Sequence, residues 1–191
     1  MAQNNNSHHV VALEAVHCPI PNFDLPYPYT IDTYNWSYPD EIASRIKDAT
    51  IILTTTIRIS AEVLSPEISP KLQLIVIMAS GKDCVDKEAC KARRIIVCNC
   101  PSTNVDSCSE HVIGSYFATR RKFVGLHAAV NAIPAELTKE TEWKTNRTLR
   151  TQLHMADGNA PLLCSQETLG ILGHGALGQR IATLARGLGM K

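Results

Sequence analysis

The chain contains 191 residues, of which 45% are hydrophobic and 19% are charged, and its formal net charge at pH 7 is +1. This composition is that of an ordinary globular protein and excludes a chain that is disordered throughout. A net charge so close to zero supplies no long-range field for a polyanion, so we expect no nucleic-acid binding through bulk charge.

The sequence has the features of an intracellular protein. No apolar run approaches the roughly 20 residues needed to span a bilayer. Residues 1–9 are polar and lack the apolar core of a signal peptide. We therefore predict a cytoplasmic protein without a membrane-spanning segment. The seven cysteines are an odd, scattered set, which predicts reduced thiols.

Apolar runs and amphipathic segments alternate over the first hundred residues. Short runs rich in β-branched residues predict buried strands at residues 10–16, 51–55, 72–78 and 95–98. Helical spacing and capping residues predict helices at 39–47 and 86–93 and a helical turn at 60–64. Uninterrupted apolar strands separated by helices indicate a parallel sheet that is covered on both faces.

A longer helix is predicted after the last of these strands. It begins near Asn104, with Asp106 or Ser107 as the candidate N-cap, and runs to the basic end at residues 120–122. Residues 125–165 show weak periodicity, and we expect an arm, loop or hairpin-like excursion there.

The strongest motif lies near the C-terminal end of the chain. A strand-like run, Thr168–Leu172, precedes an amphipathic helix, and the sequence between them is Gly173-His174-Gly175-Ala176-Leu177-Gly178. This is G-x-G-x-x-G between a strand and a helix, the fingerprint of dinucleotide binding. Gly173 would permit the tight turn, Gly175 the close approach of backbone to a pyrophosphate, and Gly178 the packing of helix on strand. The pyrophosphate would lie at the helix N-terminus, where free N–H groups favour negative charge.

Two points about this motif stay open. His174 either contacts the cofactor phosphate through its position or is a variable, partly exposed loop residue. The acidic residue that holds the cofactor ribose is expected about 20 positions after the glycines, and that position falls beyond Lys191. We therefore expect residues 167–191 to form the start of a nucleotide-binding domain and to be unable to hold a dinucleotide alone.

Three further groups of residues occur in a characteristic order before the glycine fingerprint. They are Gly81–Asp86, which reads GKDCVD, then Asn99-Cys100-Pro101 with Asn104, then Ser109-Glu110-His111. Together with the fingerprint, they resemble the D-isomer-specific 2-hydroxyacid dehydrogenases, particularly the glyoxylate and hydroxypyruvate reductases. The resemblance implies an α/β fold with four parts: a flavodoxin-like substrate domain at 1–104, an interdomain helix at 105–124, an arm with a possible homodimer contact at 125–166, and the first βα unit of a Rossmann NAD-binding domain at 167–191.

The resemblance also implies a function. Members of the family are oxidoreductases that use NAD or NADP to interconvert D-2-hydroxy acids and 2-oxo acids such as glyoxylate or hydroxypyruvate. Ser80 and Gly81 match the loop whose backbone N–H groups hold the substrate carboxylate, and Asn104 matches an asparagine near the substrate and the nicotinamide. The cofactor residues implied are Gly173, His174, Gly175, Ala176, Leu177 and Gly178. Lys82 either attracts the anionic substrate or is a solvated surface lysine.

Two features depart from the family pattern. Arg94 and Ser102 stand where glycines are usual, and a non-glycine residue in a left-handed backbone position costs on the order of 1 kcal/mol. The family's catalytic Arg, Glu and His belong to motifs that nothing in these 191 residues matches, so no catalytic residue is assigned. The alternative hypothesis is therefore a truncated, non-catalytic family member that is inactive or acts only through partners.

A zinc-binding module is a third hypothesis. Cys98, Cys100, Cys108 and His111 could supply ligands, but their C-x-C-x7-C-x2-H spacing matches no common zinc finger. Cys98 also belongs to a predicted buried strand, where a thiol behaves as a small apolar group. We therefore expect no metal site.

Overall fold

The computed structural model describes residues 7–133 and 140–191. Residues 1–6 of the predicted substrate domain and residues 134–139 of the predicted arm lie outside the described residues. The chain divides into two compact units, Met1–Thr103 and Asn104–Lys191. The finer partition into substrate domain, interdomain helix, arm and nucleotide-domain start stays a prediction. Within the described part, no helix is both long and apolar enough to cross a membrane.

The first unit is built on a five-stranded parallel sheet. Its strands are β1 His8–Ala12, β2 Tyr29–Thr33, β3 Ile51–Thr54, β4 Leu74–Ile77 and β5 Ile96–Asn99. They lie in the order β2-β1-β3-β4-β5, and every neighbouring pair is parallel. This is the flavodoxin-like order, so the predicted fold class is confirmed. The edge strand β2 was not among the predicted strands.

The two faces of the sheet are covered by different kinds of connection. Helix α1, Pro39–Ile46, joins β2 to β3, and helix α2, Lys87–Ala92, joins β4 to β5. Right-handed crossovers place both helices and the β3–β4 connection on one face, where the larger buried cluster forms around Ile46, Ile52 and Ile75. The opposite face is covered by the β1–β2 connection, a proline-containing loop rather than a helix, whose Ile20 and Phe23 pack against the sheet.

The second unit is helical over most of its length. Its helices are α3 Val105–Arg120, α4 Phe123–Val130, α5 Glu142–Asn146, α6 Arg150–Leu153 and α7 Ala176–Gly187. The predicted excursion at 125–165 thus includes α5, α6 and most of α4. The N-cap of α3 is Asn104, and the prediction of Asp106 or Ser107 is wrong because both residues lie inside the first turn. The carboxylate of Asp106 forms an ion pair with Arg180 instead, at 2.8 Å.

The predicted strand at Thr168–Leu172 is reduced to a single residue pair. The N–H of Leu169 donates to the carbonyl of Lys191 at 2.9 Å, and the N–H of Lys191 donates to the carbonyl of Glu167 at 3.1 Å. These two bonds have the pattern of a parallel ladder with Thr168 opposite Lys191. Residues 168–172, all of which the structure describes, form no regular strand. A strand needs several consecutive residue pairs, and this segment makes one.

Two non-glycine residues of the first unit adopt the left-handed backbone conformation that their place in the family pattern indicated. The φ angle is 56° at Arg94 and 65° at Ser102. Arg94 follows α2, where its N–H donates to Lys91 and the N–H of Ile95 donates to Cys90. This is a Schellman motif, whose left-handed position glycine fills best.

Replacing Arg94 with glycine should therefore stabilise the first unit. We expect Arg94→Gly to raise the free energy of unfolding by about 1 kcal/mol, since glycine adopts this φ without strain. Arg94→Ala is the matched control, because it removes the same side chain and keeps the strain. Urea unfolding of both variants measures the effect, and equal stability of Arg94→Gly and Arg94→Ala would contradict the explanation.

Candidate functional site

The predicted substrate loop follows β4 at the carboxyl edge of the sheet in the first unit. Ser80 is tied to the end of β5, because its hydroxyl donates to the carbonyl of Cys100 at 3.3 Å and its carbonyl accepts from the side-chain amide of Asn99 at 2.9 Å. A Cβ built on Gly81 would lie 2.6 Å from Oδ1 of Asp83. A side chain at position 81 would thus force the Asp83 carboxylate to move. Ser80 and Gly81 are exposed, at the edge where open α/β sheets bind ligands.

A buried carboxylate organises the neighbouring loop of the same edge. Glu14 follows β1 and is 0% exposed. Its Oε1 accepts backbone N–H bonds from Thr55, Thr56 and Ile57 at 2.5, 2.5 and 2.8 Å. The hydroxyls of Thr54 and Thr56 donate to the same carboxylate at 2.9 and 2.7 Å. The carboxylate therefore fills a concave arrangement of donors that begins at the last residue of β3.

The loop held by Glu14 is connected to the substrate loop. Ile59 pairs in parallel with Val85, and its N–H donates to the carbonyl of Cys84 at 2.8 Å. Val85 lies four residues after Gly81. The loops that follow β3 and β4 are thus fixed to each other by backbone hydrogen bonds, and Glu14 holds the first of them.

The hydrogen bonds to the Glu14 carboxylate lower its pKa by more than burial raises it. Burial raises the pKa of this carboxyl group, but the N–H groups of Ile57 and Thr55 and the hydroxyl of Thr56 lower it, and the net pKa lies below the ordinary value. His17 places its Nε2 at 3.3 Å from Oε2 of Glu14. Motif reasoning did not identify this network. The available signal was an acidic residue inside an apolar run, together with three consecutive threonines at the end of a later strand.

Removing the charge of Glu14 should destabilise the protein in a pH-dependent way. At pH 7 we expect Glu14→Gln to lower the free energy of unfolding by roughly 2 kcal/mol, because the loop loses charge-assisted hydrogen bonds. The folded-state pKa lies below the ordinary value of 4.5. The wild-type advantage is therefore fully present above that value and is lost as the pH falls through the folded-state pKa. Denaturant unfolding at pH 7 and at successively lower pH measures the difference.

The matched control for Glu14→Gln is Glu88→Gln. Glu88 is an exposed residue of α2, and its substitution should change the free energy of unfolding by less than about 0.5 kcal/mol. Equal losses in the two variants at pH 7 would show that the carboxylate of Glu14 has no special role.

The glycine fingerprint lies in the second unit, directly before α7. Gly173 has a φ of +96°, which L side chains rarely adopt. A Cβ on Gly178 would collide with the carbonyl oxygen of Gly173. Gly175 is the N-cap of α7, and a Cβ there would meet open space. The fold itself therefore requires glycine at 173 and 178, whereas the space beside Gly175 is available to a ligand.

The first turn of α7 offers backbone donors next to that space. The N–H of Gln179 is the first that bonds back along the helix, to the carbonyl of Gly175 at 3.0 Å, so the N–H groups of residues 176–178 have no i−4 partner in the helix. The side-chain amide of Gln179 donates to the carbonyl of His174 at 3.1 Å and fixes the loop. His174 is exposed. These donors and the helix dipole suit a pyrophosphate, so the residues present fit the expected cofactor.

Polar contacts with α3 anchor the segment that leads into the glycine loop. Glu167 accepts a hydrogen bond from the hydroxyl of Tyr116 and forms an ion pair with Arg120. Burial and the bond to Glu167 raise the pKa of Tyr116 above its ordinary value, so the hydroxyl stays protonated. At the other end of α3, Asp106 pairs with Arg180 of α7. Asn104, exposed at the start of α3, and the glycine loop thus belong to the same unit, whereas Ser80 and Gly81 belong to the other.

The cysteines form no disulfide and contribute to no metal cluster in the described part of the chain. All seven are free thiols, and Cys98, predicted to be buried, is exposed. No group of three or more His, Cys, Asp or Glu residues in the described ranges could hold a metal ion.

The chain combines a flavodoxin-like parallel sheet with a later G-x-G-x-x-G loop at the head of a helix, and this combination is typical of the α/β class of nucleotide-binding proteins. The family model for the D-isomer specific 2-hydroxyacid dehydrogenase catalytic domain matches residues 15–179. The chain belongs to this family.

Curated relatives agree with this assignment. The chain is 32% identical to glycerate dehydrogenase of Methylorubrum extorquens over 179 residues, which are 93% of this chain and 52% of the relative. It is 32% identical to glyoxylate reductase of Thermococcus litoralis over 149 residues, which are 75% of this chain and 39% of the relative. The chain spans about half the length of the first of these relatives.

Solved structures share the fold at lower identity. D-lactate dehydrogenase from Aquifex aeolicus, complexed with NAD and lactic acid, has a TM-score of 0.69 and 20% identity, covering 96% of this chain and 49% of its own. The acyclic imino acid reductase Bsp5, in complex with NADPH and D-Arg, has a TM-score of 0.67 and 20% identity, covering 96% of this chain and 54% of its own.

Proposed function

We propose that this chain binds NAD or NADP at its glycine loop and takes part in the reversible reduction of a small 2-oxo acid, such as glyoxylate or hydroxypyruvate, to a D-2-hydroxy acid. The observation that carries the proposal is the open space beside Gly175 at the head of α7, next to backbone N–H groups that have no i−4 partner in the helix. The cofactor supplies the hydride when bound. The role proposed for this chain's residues is to bind and orient the two reactants.

The substrate carboxylate is assigned to the loop at Ser80 and Gly81. This loop is exposed at the carboxyl edge of the sheet, and a side chain at position 81 would displace the neighbouring Asp83 carboxylate. Loop N–H groups of this kind form anion-binding concavities. Asn104 is proposed to contact the substrate and the nicotinamide. No residue of this chain is assigned the proton transfer, so the proposal covers binding and orientation.

Gly175→Val tests the cofactor assignment without disturbing the loop. A valine side chain at position 175 meets open space in the protein and would occupy the place proposed for the pyrophosphate. We expect the variant to fold normally and to lose NADH binding, measured by fluorescence titration of the chain. Gly114→Val is the matched control, because a Cβ on Gly114 of α3 also meets open space. Unchanged NADH affinity in Gly175→Val would contradict the assignment.

A turnover assay separates the proposal from the non-catalytic alternative. Oxidation of NADH by the purified chain in the presence of glyoxylate or hydroxypyruvate would contradict the alternative. NADH binding without turnover would favour it and would leave the binding proposal in place.

We also propose that α4 contacts a second copy of the chain. The helix reads FVGLHAAV and contains no buried residue, although helices that are apolar all round are normally covered. Val124 is 79% exposed, and Ile133, shortly after the helix, is 86% exposed. Exposed apolar surface of this kind marks interaction sites.

A charge in this helix should prevent self-association. We expect the wild-type chain to form dimers in sedimentation equilibrium and Val124→Glu to be monomeric, because the interface would have to bury an unpaired carboxylate. Glu110→Gln on the exposed surface of α3 is a control that should leave the dimer intact. A monomeric wild-type chain, or an unaffected Val124→Glu dimer, would contradict this proposal.

A further inference from the structure

The first unit contains a cavity of about 610 Å³ that is separate from the substrate loop. Part of its lining comes from residues between Trp36 and Ala43, at and before the start of α1, and the rest comes from residues between Thr56 and Ile68 in the β3–β4 connection. Neither Ser80 nor Gly81 lines it. Its volume lies within the range of small-molecule sites.

The floor of this cavity is apolar and already in place. Ile42 of α1 and Ile57 are 3% and 6% exposed, and the half-buried Val63 and Ile68 pack against the same core. Ile57 belongs to the loop whose backbone donates to the Glu14 carboxylate. A floor held in this way is preorganised, so ligand binding would cost little conformational entropy there. The floor can thus receive an apolar group of moderate size.

The rim carries unpaired charges of both signs. Arg58, Asp40 and Glu62 line the cavity and are exposed. Within the described residues, none of their charged groups forms an ion pair or side-chain hydrogen bond. The nearby Arg45, by contrast, is fully engaged, because it pairs with Glu41 at 2.8 Å and donates to Ser37. One cation and two carboxylates are therefore available to a ligand above the apolar floor.

We propose that this cavity binds a free α-amino acid with an apolar side chain. The side chain would lie on the floor at Ile42 and Ile57, the carboxylate would bind Arg58, and the ammonium group would bind Asp40 and Glu62. A plain anion would face two carboxylates, a plain cation would face the guanidinium, and a neutral apolar molecule would gain no charge-assisted contact from the rim. A zwitterion with an apolar tail satisfies the floor and the rim together. This site stands apart from the cofactor and substrate sites proposed above.

Calorimetric titration of the chain with L-leucine and L-phenylalanine tests the proposal. We expect binding in the millimolar range or tighter, and roughly tenfold weaker binding of glycine, 4-methylpentanoate and isoamylamine, which lack the apolar side chain, the ammonium group and the carboxylate of leucine, respectively. No heat from either amino acid at concentrations on the order of 10 mM would overturn the proposal. An affinity for 4-methylpentanoate equal to that for leucine would overturn the assignment of a zwitterion.

Three variants locate the ligand. Arg58→Gln should weaken leucine binding by roughly tenfold, the loss of one charge-assisted contact. Arg94→Gln removes the same charge from an exposed position outside the cavity and should leave affinity unchanged. Ala43→Trp, on the cavity wall, should abolish binding by filling the space. If Ala43→Trp does not fold, Arg58→Gln on the rim still tests whether leucine binds in this cavity. Equal leucine affinities of Arg58→Gln and Arg94→Gln would refute the site.

Discussion

The buried carboxylate of Glu14 is the interaction on which the carboxyl edge of the first unit depends. A parallel strand leaves unpaired N–H groups where its chain turns away from the ladder. After β3, Thr55, Thr56 and Ile57 direct these groups at one carboxylate. The same turn carries Ile57 into the core and brings Ile59 beside Val85. The carboxylate of Glu14, two residues after the end of β1, thus sets the course of the loop after β3 and, through it, the position of the loop after β4.

Local sequence patterns predicted the parts of the fold that are determined by burial. The runs that form β1, β3 and β4 are apolar because both faces of a parallel sheet are covered. Strand β5 is an edge strand with Ile96 and Cys98 exposed, and it was recognised from its apolar sequence although it is not buried. Strand β2, at the other edge, reads YTIDT and lacks such a run. The segment Thr168–Leu172 has a strand-like pattern, but ladder formation depends on a partner strand, and Lys191 alone supplies one pair.

Sequence patterns report on the site where backbone geometry restricts the residue type, and they do not report on contacts between residues that are distant in sequence. The conformation of the loop itself requires glycine at 173 and 178, so the spacing of these two residues can be recognised in a single sequence. The partners of Glu14 are separated from it by about forty residues, a distance at which no local periodicity operates. Arg94 and Ser102 are intermediate between the glycine loop and the Glu14 network in how far the sequence predicts them. Their left-handed backbone follows from local turn geometry, yet only comparison with a family pattern makes them noticeable.

The two units differ sharply in how much apolar surface they bury. Among the described residues, the buried hydrophobic side chains of the second unit are Ala182, Ala185 and Met190, and all the others belong to the first unit. Regions with few buried apolar contacts open at a lower free energy than the rest of a protein. A cofactor that bound only the closed glycine loop would raise that free energy by mass action. For the second unit, such a cofactor would act as a folding ligand as well as a reactant, and amide hydrogen exchange in α7 would slow as its concentration rose.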